Sequence, residues 1–216
     1  MAGIEVARPF AGTLPESCAD TWRKAVDHPF VRAVADGSLP AARFHTWIRQ
    51  DRHFVEALAR FVRALTTLAP TDDVAGLESG LAALGPELDL FASYAEHERI
   101  RLDVPALTVC HEYVGFLLQR LDDGYPHALT AYYACERSYL DAWTSVRRSG
   151  GAAGPYTDWI ANWTSEPFAA YVSWLGSRVD EQAFGADERT KRALRDVFRR
   201  TVRFEIAFWD ACLGEA

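Results

Sequence analysis

The chain has 216 residues, of which 49% are hydrophobic and 12% aromatic, which is enough for a sizeable core and excludes a disordered protein. The net charge of −7 and the pI of about 5.4 argue against a nucleic-acid partner, whose binding surface should be basic. No signal peptide and no run of 18 apolar residues is visible, and the four cysteines lack zinc-ligand spacing. We therefore expect a cytoplasmic protein with reduced thiols and no membrane partner.

Amphipathic patterns predict helices along almost the whole chain. In chain order the predicted helices are 14–27, 30–35, 41–68, 73–84, 87–100, 104–121, 127–148, 155–163, 167–183 and 187–213. Thr71 and Asp72 can cap the helix that begins at Asp73. Gly85 and Pro86 leave open whether two helices or one kinked helix run through this region.

No period-two alternation bounded by turn residues is present, so no strand is predicted. No repeat and no linker divides the chain. The expectation is an all-α bundle of about seven or eight helices that forms a single domain over residues 1–216, with a flexible start at about residues 1–12.

Two carboxylates fall on the apolar faces of predicted helices. Glu205 lies between Val202 and Phe208 on the face of the C-terminal helix that should be buried. Asp51 interrupts the apolar stripe of the helix 41–68 in the same way. A carboxylate taken out of water without a partner is costly, so each should be paired, protonated or used in chemistry.

Two interpretations of this carboxylate pair remain open at this stage. Asp51 and Glu205 can form buried salt bridges with an arginine such as Arg63 or Arg203. Alternatively, one acts as a general acid and base with a raised pKa, and the other orients a substrate amine.

Cys135 lies on one helical face with Tyr132 and Tyr139, at spacings of three and four residues. The thiol can be a nucleophile held by phenol hydroxyls, or a small core residue packed by aromatic rings. No histidine pair suits a metal or a di-iron site, and neither a phosphate-binding loop nor a G-x-S-x-G motif is present.

Four segments, in order along the chain, resemble the TenA/thiaminase II family. Trp22 precedes the first segment, HPFVRAVADGSLPAARFHTWIRQDRHFV, at residues 28–55. The others are ACERSY at 134–139, YTDWIANW at 156–163 and RFEIAFWD at 203–210. The resemblance implies a haem-oxygenase-like helical bundle, usually a homotetramer, with no cofactor, metal or haem.

The resemblance also implies an activity, namely hydrolysis of an aminopyrimidine in thiamin salvage. The typical substrate is 4-amino-5-aminomethyl-2-methylpyrimidine, and thiamin is a slower one. By the same resemblance Cys135 is the nucleophile that adds to the ring, and Glu205 exchanges protons with the leaving amine. Asp51 binds ring nitrogen and amine, and Tyr139 hydrogen-bonds near the thiol. The implied walls of the pyrimidine pocket are Tyr113, Phe54, Trp163 and Phe208.

The sequence departs from the family pattern at several of these positions. Phe54 and Trp163 stand where the family usually has tyrosine, and Glu136 and Arg137 follow the cysteine where apolar or aromatic residues are usual. Trp and Phe still stack on a flat ring. The alternatives are an enzyme of this fold with another heteroaromatic substrate, a non-catalytic small-molecule binding protein, and a transcription regulator, which the acidic pI disfavours.

Overall fold

The computed structural model describes residues 8–150 and 156–214, which form helices and contain no strand. In chain order the helices are α1 (Phe10–Thr13), α2 (Ala19–Val26), α3 (Pro29–Ala35), α4 (Ala41–Leu68), α5 (Thr71–His97), α6 (Thr108–Asp122), α7 (Tyr125–Arg148), α8 (Thr157–Trp163), α9 (Glu166–Ala183) and α10 (Glu188–Leu213). A 3-10 turn at Glu16–Cys18 joins α1 to α2. The all-α prediction is confirmed.

Helix α7 lies at the centre of the bundle and packs against α10, α9, α6, α2, α3 and α8. Every residue from 128 to 136 is buried, so this part of α7 has no solvated side. The surrounding helices are amphipathic and turn one apolar stripe inward, as the sequence pattern of α4 and α10 indicates.

Buried tryptophans join three of the helices in the core. The ring of Trp47 on α4 lies 5.5 Å from Trp143 on α7, 5.3 Å from Trp159 on α8 and 5.6 Å from Trp163 on α8. Each aromatic pair of this kind adds about 0.5–1.5 kcal/mol beyond the area it buries. The short helix α8 is therefore fixed against the bundle by its tryptophans.

The beginning of the chain differs from the prediction of a helix over residues 14–27. Pro15 precedes a 3-10 turn, and Cys18 has φ of −139°, so the helix begins only at Ala19. Of the stretch expected to be flexible, residues 1–7 lie outside the described residues. Ala11, in contrast, belongs to α1, and its backbone N–H donates to Asp180 on α9 over 2.7 Å.

Helix α5 runs without a break through Gly85 and Pro86, which answers the question that the sequence left open. It begins at Thr71 directly after Pro70, not at Asp73 as predicted. Asp73 is buried because its carboxylate has partners in the core. It accepts hydrogen bonds from Tyr125 on α7 over 2.7 Å and from Arg178 on α9 over 3.4 Å.

Helix α6 begins at Thr108 and not at the predicted residue 104. The preceding segment is held by side chains of α4. The Gln50 amide donates to the Pro105 carbonyl over 3.2 Å and accepts from the Leu107 N–H over 2.7 Å. A ring nitrogen of His53 lies 2.7 Å from the Val104 carbonyl. These bonds occupy backbone groups that an earlier helix start would need.

The remaining helix ends lie close to the predictions. Ser165 accepts from Phe168 N–H at the start of α9, and Asp187 accepts from Thr190 N–H at the start of α10. Gly214, at φ of 77°, ends α10 in the left-handed conformation that glycine adopts without strain. The predicted start of α8 at residue 155 falls outside the described residues.

Candidate active site

Four helices contribute the polar centre of the bundle. Asp51 comes from the middle of α4, Tyr113 from α6, Cys135 from α7 and Glu205 from α10. None of the four is more than 3% exposed, because each occupies an inward position between apolar neighbours. The bundle therefore encloses two carboxyl groups, a phenol and a thiol together.

Tyr113, Glu205 and Cys135 form one hydrogen-bonded group. The Tyr113 hydroxyl donates to Oε1 of Glu205, and the Cys135 thiol interacts with both. Burial raises the pKa of Glu205 to about 8, although the bond from Tyr113 opposes the shift. Burial, followed by the charge of Glu205, also raises the pKa of Cys135 well above its usual value. The thiol is thus neutral at rest, with a carboxyl group of raised pKa beside it.

Asp51 forms a second pair, with Tyr139 on α7. The Tyr139 hydroxyl donates to Oδ1 of Asp51 over 2.6 Å, whereas Oδ2 is buried without a hydrogen-bond partner among the described residues. Burial raises the pKa of Asp51 to about 7, and the bond from Tyr139 opposes this shift. Oδ2 is free to accept a hydrogen bond from a ligand.

The salt-bridge interpretation of the two carboxylates is wrong for this part of the chain. Within residues 8–150 and 156–214, no arginine or lysine forms an ion pair with Asp51 or Glu205, including the two candidates Arg63 and Arg203. Both carboxyl groups are held by phenol hydroxyls, which are neutral and leave the cost of a buried charge largely uncompensated. The raised pKa values follow from this.

Aromatic rings surround the polar centre. Phe54 lies 4.7 Å from Tyr113 and 6.2 Å from Phe208, measured between ring centroids. Trp163 lies edge-on to Tyr139 at 5.6 Å. Tyr132, which the sequence grouped with the thiol, lies next to the hydroxyl of Tyr171 on α9, 3.2 Å away. The phenol that hydrogen-bonds with the thiol is Tyr113 instead.

A small cavity of about 20 Å³ opens onto this centre. Its lining includes five of the eight residues that the sequence nominated, namely Asp51, Phe54, Cys135, Tyr139 and Trp163. The other three contact this lining: Tyr113 and Phe208 pack on Phe54, and Glu205 interacts with the Cys135 thiol. Two larger depressions, of about 460 and 690 Å³, contain none of the eight residues.

The cavity has room for about one water molecule, so a ring-sized ligand requires its walls to move. Leu84 and Glu87 of α5 form one wall, on either side of Gly85 and Pro86. Pro86 has no N–H to complete the helical hydrogen bond, so this turn of α5 has one backbone hydrogen bond fewer than a regular helix.

Sequence reasoning missed two acidic residues that line the cavity, Glu87 on α5 and Glu136 on α7. Burial raises the pKa of Glu136 to about 8, and burial together with the charges of Asp51 and Glu136 raises that of Glu87 well above its usual value. A usable signal existed for Glu87, which follows Leu84 by three residues and precedes Phe91 by four on one helical face.

Residues 8–150 and 156–214 contain no group of three or more His, Cys, Asp or Glu side chains with a geometry that could hold a metal ion. None of their helices is long and apolar enough to cross a membrane.

A family model described as TENA/THI-4/PQQC matches residues 16–215. The chain belongs to this family. It is 30% identical to an aminopyrimidine aminohydrolase of Halalkalibacterium halodurans over 95% of this chain and 96% of that protein. A second relative with this name, from Bacillus subtilis, is 23% identical over 93% of this chain and 88% of its own length.

Solved structures agree with this assignment. A TenA homologue from Pyrococcus furiosus superposes with a TM-score of 0.91 and 27% identity, covering 94% of this chain and 99% of that one. A domain with a heme oxygenase-like fold from Shewanella denitrificans gives a TM-score of 0.74 at 13% identity, with 94% and 92% covered, which supports the fold alone. The predictions of the TenA family and of a haem-oxygenase-like bundle are confirmed.

Proposed function

We propose that this chain hydrolyses an aminopyrimidine, converting 4-amino-5-aminomethyl-2-methylpyrimidine to the 5-hydroxymethyl form in thiamin salvage, and acts more slowly on thiamin. The observation that carries the proposal is Cys135 on a buried cavity beside Glu205, with Asp51 on the same lining. Relatives named aminopyrimidine aminohydrolase, aligned over nearly the whole chain, support this class of reaction.

Cys135 and Glu205 carry the proposed chemistry. As Sγ bonds to an electron-poor ring carbon, the thiol proton passes to the carboxylate of Glu205. Protonated Glu205 then donates to the amine as the exocyclic C–N bond breaks and ammonia leaves. Water adds to the exocyclic carbon and returns a proton to Glu205. Breaking the S–C bond, with transfer of that proton back to sulfur, restores the aromatic ring and the thiol.

Asp51 and Tyr139 position the ring in this scheme. Oδ1 of Asp51 is held by the Tyr139 hydroxyl, so Oδ2 is directed to accept a hydrogen bond from a ring amine or a protonated ring nitrogen. The aromatic side chains Phe54 and Trp163 supply flat walls for the ring. Positioning of this kind lowers the barrier because the reacting atoms are already close together.

The second candidate is an enzyme of the same mechanism with a different heteroaromatic substrate. It is favoured by Phe54 and Trp163, which lack the hydroxyl of the family's usual tyrosines. A non-catalytic binding protein is the remaining alternative.

We further propose a homotetramer, supported by the family and by the exposed leucines Leu107 and Leu118 at and near α6.

The test is incubation of the purified chain with the aminomethylpyrimidine and, separately, with thiamin, while ammonia and the hydroxymethyl product are measured. We expect the aminomethylpyrimidine to give ammonia and the hydroxymethyl product in equal amounts. Thiamin should give the same hydroxymethyl product more slowly, with its thiazole and not ammonia as the leaving group. Binding of the compound without product formation would favour the binding protein. Turnover of thiamin alone, or of other heteroaromatic amines alone, would favour the second candidate.

A further inference from the structure

Two carboxyl groups of the cavity have no role in the chemistry proposed above. Glu87 of α5 and Glu136 of α7 share its lining with Asp51, and the lining contains no arginine, lysine or histidine. Glu136 is 8% exposed, and it interacts with the Tyr132 hydroxyl. Three acidic side chains therefore face one small cavity without a cation from the chain itself.

The electrostatics of this cluster are unfavourable in the absence of a ligand. Burial is the main reason why the pKa values of Asp51, Glu87 and Glu136 are raised, and repulsion from the Asp51 charge adds to the shift of Glu87 and Glu136. The neighbouring cation, Arg137, donates to Asp141 over 3.0 Å and to Tyr133 over 3.4 Å, so it is engaged elsewhere. Burying carboxyl groups in this way is costly unless a partner compensates them.

An independent observation points to a ligand. Asp51 is 1% exposed, lines the cavity and leaves Oδ2 without a hydrogen-bond partner among the described residues. Since the carboxyl groups do not form a metal-binding cluster, an organic cation is the partner that fits them. A single ammonium group can bond to one or two carboxylates. Together with Glu205, which acts on the leaving amine, the site holds four carboxyl groups.

We propose that Glu87 and Glu136, which lie on the same lining as the ring-binding Asp51, form an anionic subsite for a second cationic group of the substrate. Resting on the proposed function, this inference names the substrate class as aminopyrimidines whose aminomethyl nitrogen carries a further basic arm, such as an alkylammonium. The ring lies beside Cys135, and the arm extends toward α5, where Glu87 adjoins the weakly bonded turn at Gly85 and Pro86.

Binding of such a ligand has a measurable signature. The protonated carboxyl groups of the free cavity ionise when an ammonium group arrives, because its charge stabilises the carboxylates. The released protons pass to the buffer. A ligand with an uncharged arm of the same length cannot cause this additional release.

The experiment is isothermal titration calorimetry at pH 7 in two buffers of different ionisation enthalpy. The ligands are the N-(3-aminopropyl) and N-butyl derivatives of 4-amino-5-aminomethyl-2-methylpyrimidine, which differ in charge but hardly in length. We expect the aminopropyl compound to bind at least about tenfold tighter and to release about one more proton. Equal affinity of the two compounds, a preference for the butyl arm, or no binding of the aminopropyl compound at millimolar concentration overturns the proposal.

Variants of the two glutamates test whether the preference for the charged arm comes from the proposed subsite. Glu136→Gln and Glu87→Gln should each reduce the preference for the charged arm to about threefold or less. Glu78→Gln removes the same charge from an exposed position on α5 and should keep the wild-type preference. Equal loss in all three variants would contradict a local subsite. If a variant fails to fold, the comparison of the aminopropyl and butyl compounds on the wild-type protein still tests the proposal.

Failure of this inference is distinguishable from failure of the proposed function. Turnover of the unsubstituted aminomethylpyrimidine without any preference for the charged arm would leave the proposed function standing and overturn the subsite. A preference for the charged arm without turnover of any compound would retain the subsite and contradict the hydrolase.

Discussion

The Tyr139 hydroxyl donates to Oδ1 of Asp51 over 2.6 Å, which ties the middle of α4 to the central helix α7. A similar bond lies elsewhere in the bundle, where Tyr125 donates to Asp73 over 2.7 Å. The first pair borders the cavity with Cys135, whereas the second has Arg178 as a further partner and lies away from the cavity. We therefore expect the Tyr139–Asp51 pair to position the ligand and the Tyr125–Asp73 pair to serve stability alone.

Tyr139→Phe should lower both stability and activity. Loss of a hydrogen bond to a buried carboxyl group costs about 1.5–3 kcal/mol, and the pKa of Asp51 should rise further above about 7 because the bond lowers it. Tyr125→Phe is the matched control, which should lose similar stability and keep kcat/KM. Thermal unfolding and steady-state kinetics of both variants test this. Equal losses of kcat/KM in the two variants would show that Tyr139 has no specific role in the active site.

Glu205→Gln should lower kcat by about two to four orders of magnitude, since it keeps the shape and removes the proton carrier. The scheme begins with an ionised Glu205, so kcat/KM of the wild type should rise with pH and level off above about 8, where the pKa of this group lies. A pH–rate profile from pH 5 to about 9.5 measures this. If kcat/KM of the wild type instead falls as the pH rises through 8, Glu205 must be protonated when the reaction begins.

Stability should decrease as the pH rises from about 5 to 8. The pKa values of Asp51, Glu136 and Glu205 are about 7, 8 and 8 in the folded chain and near 4 in unfolded chains, so the folded state retains more protons in this range. Each group contributes a slope of up to about 1.4 kcal/mol per pH unit. Tm should therefore fall with pH.

Glu136→Gln should flatten this pH dependence of Tm and raise Tm at pH 8, because the amide cannot ionise in the cavity. The exposed Glu78→Gln should leave the slope unchanged. Thermal unfolding at several pH values gives the result. A wild-type Tm that increases steadily from pH 5 to 8 would show that these carboxyl groups are not buried and uncompensated.

Trp163→Tyr should raise kcat/KM for the unsubstituted aminomethylpyrimidine, because it restores the hydroxyl and enlarges the cavity at one wall. It should also lower Tm, since Trp163 stacks on Trp143 at 5.1 Å and on Trp159 at 5.7 Å. Trp143→Tyr disturbs the same stack from a position that does not line the cavity. It should lower Tm without a kinetic gain. A similar gain in both variants would point to loosened packing as the cause.

Where one helix face is solvated, the sequence was sufficient to find the inward carboxylates. Asp51 and Glu205 stand out because α4 and α10 are amphipathic, so a charge on the apolar stripe is visible. Glu136 could not be found in this way, because residues 128–136 of α7 are buried all round and its pattern does not separate inside from outside. Glu87 was missed because the sequence left open whether α5 continues through Pro86. Only a continuous helix places Glu87 on the same face as Leu84.

Contacts distant in sequence explain the other differences. The start of α6 depends on bonds from Gln50 and His53 to residues more than 50 positions away, and no local pattern encodes these partners. The phenol beside the thiol is likewise Tyr113 from another helix, and not the neighbour at helical spacing, Tyr132. Resemblance to a family located Tyr113, whereas periodicity alone did not.

The most direct test of the central claim is the turnover of the aminomethylpyrimidine by Cys135→Ser, with Cys18→Ser as the control at a buried cysteine that does not line the cavity. A serine alkoxide is much harder to form than a thiolate at neutral pH. We expect Cys135→Ser to bind the substrate within about threefold of wild type and to lose nearly all turnover, while Cys18→Ser retains wild-type kcat. Wild-type turnover in Cys135→Ser would contradict covalent catalysis by this residue.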